Sequence, residues 1–405
     1  MPPKRTSTSV WPRSIALVAV LVILVTTAAC GSVSSGSRPP DSTPGPSAPL
    51  APWRGTLAAS TLPAPVQSLR AVTCATARRC WAVGSTSASA SAPAGPALVA
   101  TTDGGVTWLV QTIPAAVGYL SGIACATARI CTAVGQVGQT GVGPGTILTT
   151  RDAGTTWVLQ TVPVGTTDVT AVDCQAAGPC RALAVVSGQV TTLSPPTSGT
   201  SWTARGALPA VASVATGLSC TDAAHCWATA TQMVDVGHVI GIIAATADGG
   251  ATWSLQHVPA GTGALQGIDC LPGPSSNGPA PHSRTGCAAV GTTATVLGGA
   301  RSGRGVVVTS ANGGATWSSA PVTSTAADFL AVSCGAGPCV AVGTTVATAP
   351  QGGVVALTAS AAGSASAWRQ AAVAPVALPL TGVSCVTLAA CVMVGESVSA
   401  HLSGG

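Results

Sequence analysis

The chain has 405 residues, 47% of them apolar but only 3% aromatic and 7% charged, against a charged share of about a quarter in ordinary soluble domains. That balance excludes a coiled coil, a charged disordered tail and most cytosolic enzymes. The 49 Gly and 30 Pro, with abundant Ala, Val, Thr and Ser, predict many short strands joined by turns in one large repetitive all-β domain. The formal charge of +5 owes much to Lys4, Arg5 and Arg13; after Cys30 there are 13 arginines against 11 carboxylates, so neither nucleic acid nor an anionic surface is an expected partner.

Residues 1–29 have the form of a secretory signal: a basic start, an apolar stretch from Ile15 to Val25, then small residues up to Cys30. The stretch is shorter than the roughly 20 residues of a relaxed membrane span. Thr27 to Ser32 resembles a bacterial lipobox, in which the cysteine becomes the lipidated first residue, although Thr27 stands where that pattern has Leu. Lipidation at Cys30, plain cleavage and an uncleaved anchor all place the remainder outside the cytoplasm. Residues 30–52 are Ser, Pro and Gly with almost no large apolar group and form a tether, up to roughly 60 Å long if extended as polyproline II. The domain proper is expected over 53–405.

Fourteen further cysteines fall in close pairs: Cys74 and Cys80, Cys125 and Cys131, Cys174 and Cys180, Cys220 and Cys226, Cys270 and Cys287, Cys334 and Cys339, Cys385 and Cys391. Their first members are 46 to 64 residues apart, so a unit of about 50 residues recurs seven times, the length of a propeller blade. Each pair is framed by two apolar strands and a polar turn, as in the run from Ile123 to Gly135. In such hairpins opposed Cα atoms lie about 4.5–5.5 Å apart, within reach of a disulfide. Zinc is the competing reading; it prefers tighter spacing and regular histidines, and an exported chain meets an oxidising compartment, so disulfides are predicted and neither metal nor organic cofactor is.

After each of the first six pairs comes a turn ending in tryptophan. Asp103 to Trp108, Asp152 to Trp157 and Asp248 to Trp253 are clean copies; Asn312 to Trp317 carries an amide in place of the carboxylate, and the turns ending at Trp202 and Trp368 lose the acid. The acid can bond the backbone of its own turn, Gly supplies the positive φ, and Trp packs between sheets. These turns resemble the Asp-box of BNR-repeat propellers, a group that includes sialidases, sortilin-type receptor domains and photosystem II assembly-factor-like proteins. The resemblance implies a seven-bladed β-propeller of four-stranded blades, with structural rather than catalytic aspartates. The seventh unit has no closing tryptophan, and Trp53 has no blade in front of it, so a segment near Trp53 to Leu62 is expected to supply the last strand of the final blade and close the ring.

Two faces follow from strand polarity. One collects the cysteine hairpins, the Asp-boxes, Arg78, Arg79, Arg129 and an insertion from Leu271 to Gly286. The other would hold Arg70, Tyr119, Asp168, Asp235, His238, Arg301, Arg304, Asp328 and Glu396. Resemblance to sialidases implies three converging arginines, a Tyr nucleophile with a Glu beside it and an acid Asp. The one tyrosine, Tyr119, and the one glutamate, Glu396, fall on the right face but two blades apart. The expected function is therefore a non-catalytic, lipid-anchored, monomeric binding scaffold for a protein or envelope glycan. A sialidase-like glycoside hydrolase and an assembly factor for a membrane complex are the alternatives.

Overall fold

The computed structural model describes residues 56–403 apart from 90–92, 139–142, 177, 236–237, 273–284, 294–302, 336–337, 346–351, 359–366 and 372–377. The predicted signal, Cys30, the tether and Trp53 lie outside the described residues, as does Arg301.

Residues 56–403 form a seven-bladed β-propeller. The innermost strands of blades 1 to 7 are Val66–Cys74, Val117–Cys125, Thr166–Cys174, Val214–Cys220, Thr262–Leu271, Ala326–Cys334 and Leu380–Thr387. Each packs on its two neighbours, blade 7 on blade 1 included. From every inner strand the chain steps outward antiparallel, as in blade 2 through Cys131–Val137, Gly145–Thr150 and Val158–Gln160. In blade 7 the outermost strand is Thr56–Thr61, paired antiparallel with Val398–Ser403 so that Thr56 faces Ser403 and Thr61 faces Val398.

A core built from such small side chains works because the blades sit close together. Five residues before the first cysteine of each pair stand Leu69, Leu120, Val169, Ala215, Leu265, Phe329 and Leu380, all buried. Between blades, Trp108, Trp157, Trp202, Trp317 and Trp368 supply bulk, each at most 7% exposed; a buried aromatic of this kind is worth roughly 3–5 kcal/mol against truncation to Ala. In every inner strand the register then slips by one residue, between Leu69 and Ala71 in blade 1 and at the matching place in the other six. This β-bulge pushes a carbonyl against the second strand. A Cβ on Gly84 would lie 1.9 Å from the Ser68 carbonyl oxygen, and one on Gly135 2.0 Å from that of Tyr119. Hence the glycine of the recurring Ala-Val-Gly.

The blades depart from four strands at one place. Blade 6 has a fifth, Val322–Thr323, which runs parallel to Trp368–Gln370. The reason lies in the turn before Trp368, which has no box acid: the Trp368 amide donates instead to the Pro321 carbonyl of the incoming chain at 2.7 Å. Blade 3, whose turn also lacks the acid, repeats the device in miniature, with the Trp202 amide on the Thr161 carbonyl at 2.8 Å.

Candidate functional site

All seven cysteine pairs are joined as disulfides, with Cα separations of 3.9–4.1 Å. This is closer than the 4.5–5.5 Å expected of a generic hairpin. In blade 1 the ladder bond next to Cys74 and Cys80 is made by Ala75 and Arg79, which leaves the cysteines on a non-hydrogen-bonded pair, the narrower of the two kinds. The free amide of the first cysteine then looks outward. Cys74 donates to Ser384 Oγ at 2.9 Å, Cys220 to Asp173 Oδ2 at 2.7 Å, Cys270 to Ser219 Oγ at 3.0 Å, Cys334 to Asp269 Oδ2 at 2.7 Å and Cys385 to Ser333 Oγ at 3.0 Å. In each case the acceptor stands one residue before the preceding blade's first cysteine. The register that admits the disulfide thus also ties blade to blade.

On the same face the Asp-boxes turn inward on themselves. Asp103 Oδ1 accepts from Thr101 Oγ1 at 2.6 Å and from the Thr107 amide at 2.9 Å; Asp152 and Asp248 repeat this with Thr150, Thr156, Thr246 and Thr252. Burial works to raise Asp103, but these hydroxyls and amides outweigh it and hold the carboxyl at about 2. Bonds from Thr156 and then Thr150 hold Asp152 at about 2 as well, and those from Thr252 and Thr246 pull Asp248 further down. Asn312 accepts from the Thr316 amide at 2.9 Å through its Oδ1. Every box acceptor is occupied by its own turn, which is the geometry of a structural cap.

The opposite face opens on a central channel of about 400 Å³. Its wall carries the bulged residues, four places before each first cysteine: Arg70, Ser121, Thr170, Thr216, Gln266, Leu330 and Thr381. Where the residue is a hydroxyl it can tie two blades together: Ser121 donates to Val169 O at 2.9 Å, Thr216 to Leu265 O at 2.7 Å and Thr381 to Leu69 O at 2.7 Å. Blade 1 breaks this pattern with a cation. The Arg70 guanidinium lies 5.0 Å from the centre of the Tyr119 ring in blade 2, a cation–π distance.

Tyr119 is half-buried. Burial raises its phenol above the ordinary value; Arg70 pulls it down by less, and Asp168 of blade 3 adds a small upward push. Burial raises Asp168 too, against bonds from the Gln136 side chain and the Val169 amide, and its Oδ1 is buried without a partner. Gln136 in turn borders a groove of about 600 Å³ between blades 2 and 3, where Val164 is 98% exposed. The fold therefore brings Arg70, Tyr119 and Asp168 together at the channel mouth, from three successive blades. Among the described residues it does not bring the other predicted ones to the channel wall. Asp328 is held by Thr344 at 2.5 Å in its own blade, and the backbone of Glu396, whose side chain is exposed, pairs with that of Ser68 where blade 7 meets blade 1. Asp235 and His238 stand opposite each other on a long hairpin of blade 4. Among the residues lining the channel the one charged side chain is Arg70. No cluster of metal ligands forms among the described residues.

Fold and site together define a seven-bladed propeller with a nearly uncharged channel. Its solved structural neighbours are propellers as well. YCF48 bound to D1 peptide is 14% identical, matching 86% of this chain and 97% of its own at a TM-score of 0.56, and YCF48 from Cyanidioschyzon merolae is 15% identical over 85% and 98% at 0.53. A catalytically inactive virginiamycin B lyase from Staphylococcus aureus with quinupristin is 10% identical over 87% and 100% at 0.59. No protein-family model and no curated protein matches the chain. These likenesses are to enzymes and non-enzymes alike, and at such identity they concern the fold alone.

Proposed function

We propose that this chain is an exported, non-catalytic binding propeller, anchored by lipid at Cys30, that receives a protein segment or an envelope glycan at the channel mouth formed by Arg70, Tyr119 and Asp168. One observation carries the reading: a single cation and a protonated phenol line the channel, where the hydroxyls of Ser121, Thr216 and Thr381 are spent on neighbouring blades. A phenol donor, a carboxyl oxygen without a partner and a guanidinium suit recognition of hydroxyls and amides. Of the three converging arginines that glycoside hydrolysis of the sialidase type needs, one lines the channel, and Glu396 stands in blade 7 instead of beside Tyr119 of blade 2. Seven disulfides suit a compartment outside the reducing cytoplasm. The peptide carried by one YCF48 structure favours a protein segment over a glycan, and with it an assembly-factor role as the second form of the same reading.

Photocrosslinking in the native envelope from a reactive residue placed at Val164 tests the idea. A polypeptide or glycan should be captured by the parent protein and lost with Arg70→Ala combined with Tyr119→Phe. Turnover of any fluorogenic glycoside that disappears in Tyr119→Phe alone overturns it.

A further inference from the structure

Blades 2 and 3 meet differently from their neighbours, on the face opposite the channel mouth. In four blades the residue after the second cysteine packs on the following blade's box: Trp81 against Gly154, Arg181 against Gly249, Trp227 against Gly314 with its Nε1 donating to Gly313 O at 3.0 Å, and Val392 against Gly105. Blade 2 offers only Thr132 at this position. Blade 3 answers with Pro195 and Pro196 in a turn that has no acid. Neither half of the contact is made, and a cavity of about 660 Å³ remains, well inside the range of small-molecule sites.

Its wall is basic. Arg151, Arg181 and Arg205 line it, and no carboxylate does. Arg181 is 8% exposed, and its guanidinium donates to three carbonyl oxygens, those of Gly249 at 3.1 Å, Cys180 at 3.1 Å and Ala223 at 3.3 Å; a guanidinium has five N–H groups, so donors are left over. Arg205 reaches the backbone oxygen of Asp248 at 2.9 Å and lies near enough to Arg181 to add to burial in disfavouring its charge. Both cations stand at the wall of the cavity, where an oxyanion would meet charge-assisted donors. A second sign is Ser194. The Ser194 hydroxyl is buried at the cavity wall with no partner, and next to it Pro195 takes the place of Thr101, Thr150, Thr246 and Ser310, each of which bonds a box acid or amide.

We propose that this cavity binds an organic oxyanion of about sugar size, a carboxylate or a phosphate, seated between blades 2 and 3 against Arg151, Arg181 and Arg205. The site is separate from the channel mouth and stands or falls independently of the function proposed there. Glucuronate, glucose phosphate and neutral glucose are titrated calorimetrically into the full-length chain. At least one acid should bind with a millimolar or tighter dissociation constant, weaken as salt rises from about 0.05 to about 0.5 M, and exceed glucose by at least about tenfold; which acid binds separates the two oxyanion sources. Arg151 and Arg205 are both exposed, so the paired variant Arg151→Ala with Arg205→Ala should keep the fold and lose at least about tenfold in affinity. Thr132→Trp, which restores the side chain found at Trp81 and Trp227, should fill the cavity and abolish binding without lowering the thermal midpoint. Equal binding of glucose, unchanged affinity in the paired arginine variant, or no heat from either acid at about 10 mM overturns the proposal.

Discussion

Ala153 holds φ at +65° where the other boxes place Gly104, Gly249 and Gly313 at +67° to +78°. A Cβ in the left-handed region costs roughly 1–2 kcal/mol, yet the turn persists because the Asp152 side chain and the Gly154 amide are locked by Thr150 and Thr156. Ala153→Gly relieves the strain but frees the unfolded chain, so a net gain of about 0.5–1 kcal/mol is expected, measured as a shift in the chemical-denaturation midpoint. A loss would mean that the methyl group packs to advantage against blade 1. The box acids are recognisable because their partners lie within four residues. Arg70 is not, because its meaning comes from the residues at its position in other blades; counting back four places from every first cysteine would have exposed it among Ser, Thr, Gln and Leu.

The closing strand Thr56–Thr61 joins residues more than 330 positions apart in sequence into one ladder. Its register with Val398–Ser403 covers the whole strand, and it shields an edge that would otherwise offer free amides and carbonyls to another chain. Blade 7 also receives the Trp108 Nε1 of blade 1 on Ser399 Oγ at 2.9 Å, so an unsettled Val398–Ser403 would loosen two blades. Removing residues up to 61 from a chain that starts at 53 should lower the thermal midpoint by about 5–10 °C and expose the edge to self-association, read by light scattering. An unchanged midpoint in a monomeric product would show that three strands suffice. Blade number and blade grammar were legible in the cysteine and tryptophan spacing, since both motifs recur at fixed places in each unit. The bulges, the fifth strand of blade 6 and the cavity beside blade 3 were not. The bulges arise where two strands of one blade pair and the other two features where blades touch, and a repeat read along the chain shows neither kind of contact.

At the scale of the whole ring, two carboxylates set the response to pH. Asp173 and Asp269 accept the free cysteine amides of blades 4 and 6, and Ser219 of the blade between them donates to Asp269 Oδ1 at 3.4 Å. Desolvation raises Asp173 to about 6 and Asp269 to about 7, with repulsion from Asp173 adding to the latter and the amide bonds opposing both. Each residue remains partly exposed, which tempers the effect. An unfolded aspartate releases its proton near pH 4. Between about pH 4 and pH 7 the folded ring therefore holds protons that the unfolded chain has lost, and stability falls as pH rises through that window. The box acids act in the opposite sense: Asp103 and Asp152, both held at about 2, contribute stability above about pH 4 that disappears as pH drops towards 2. The thermal midpoint should accordingly peak near pH 4–5 and decline on both sides. Asp269→Asn keeps an oxygen for the Cys334 amide and carries no charge, so it should flatten the alkaline limb while leaving the acid limb in place. A parent protein more stable at about pH 8 than at about pH 5 would show that the amide bonds outweigh desolvation and that the ring is held by ionised carboxylates.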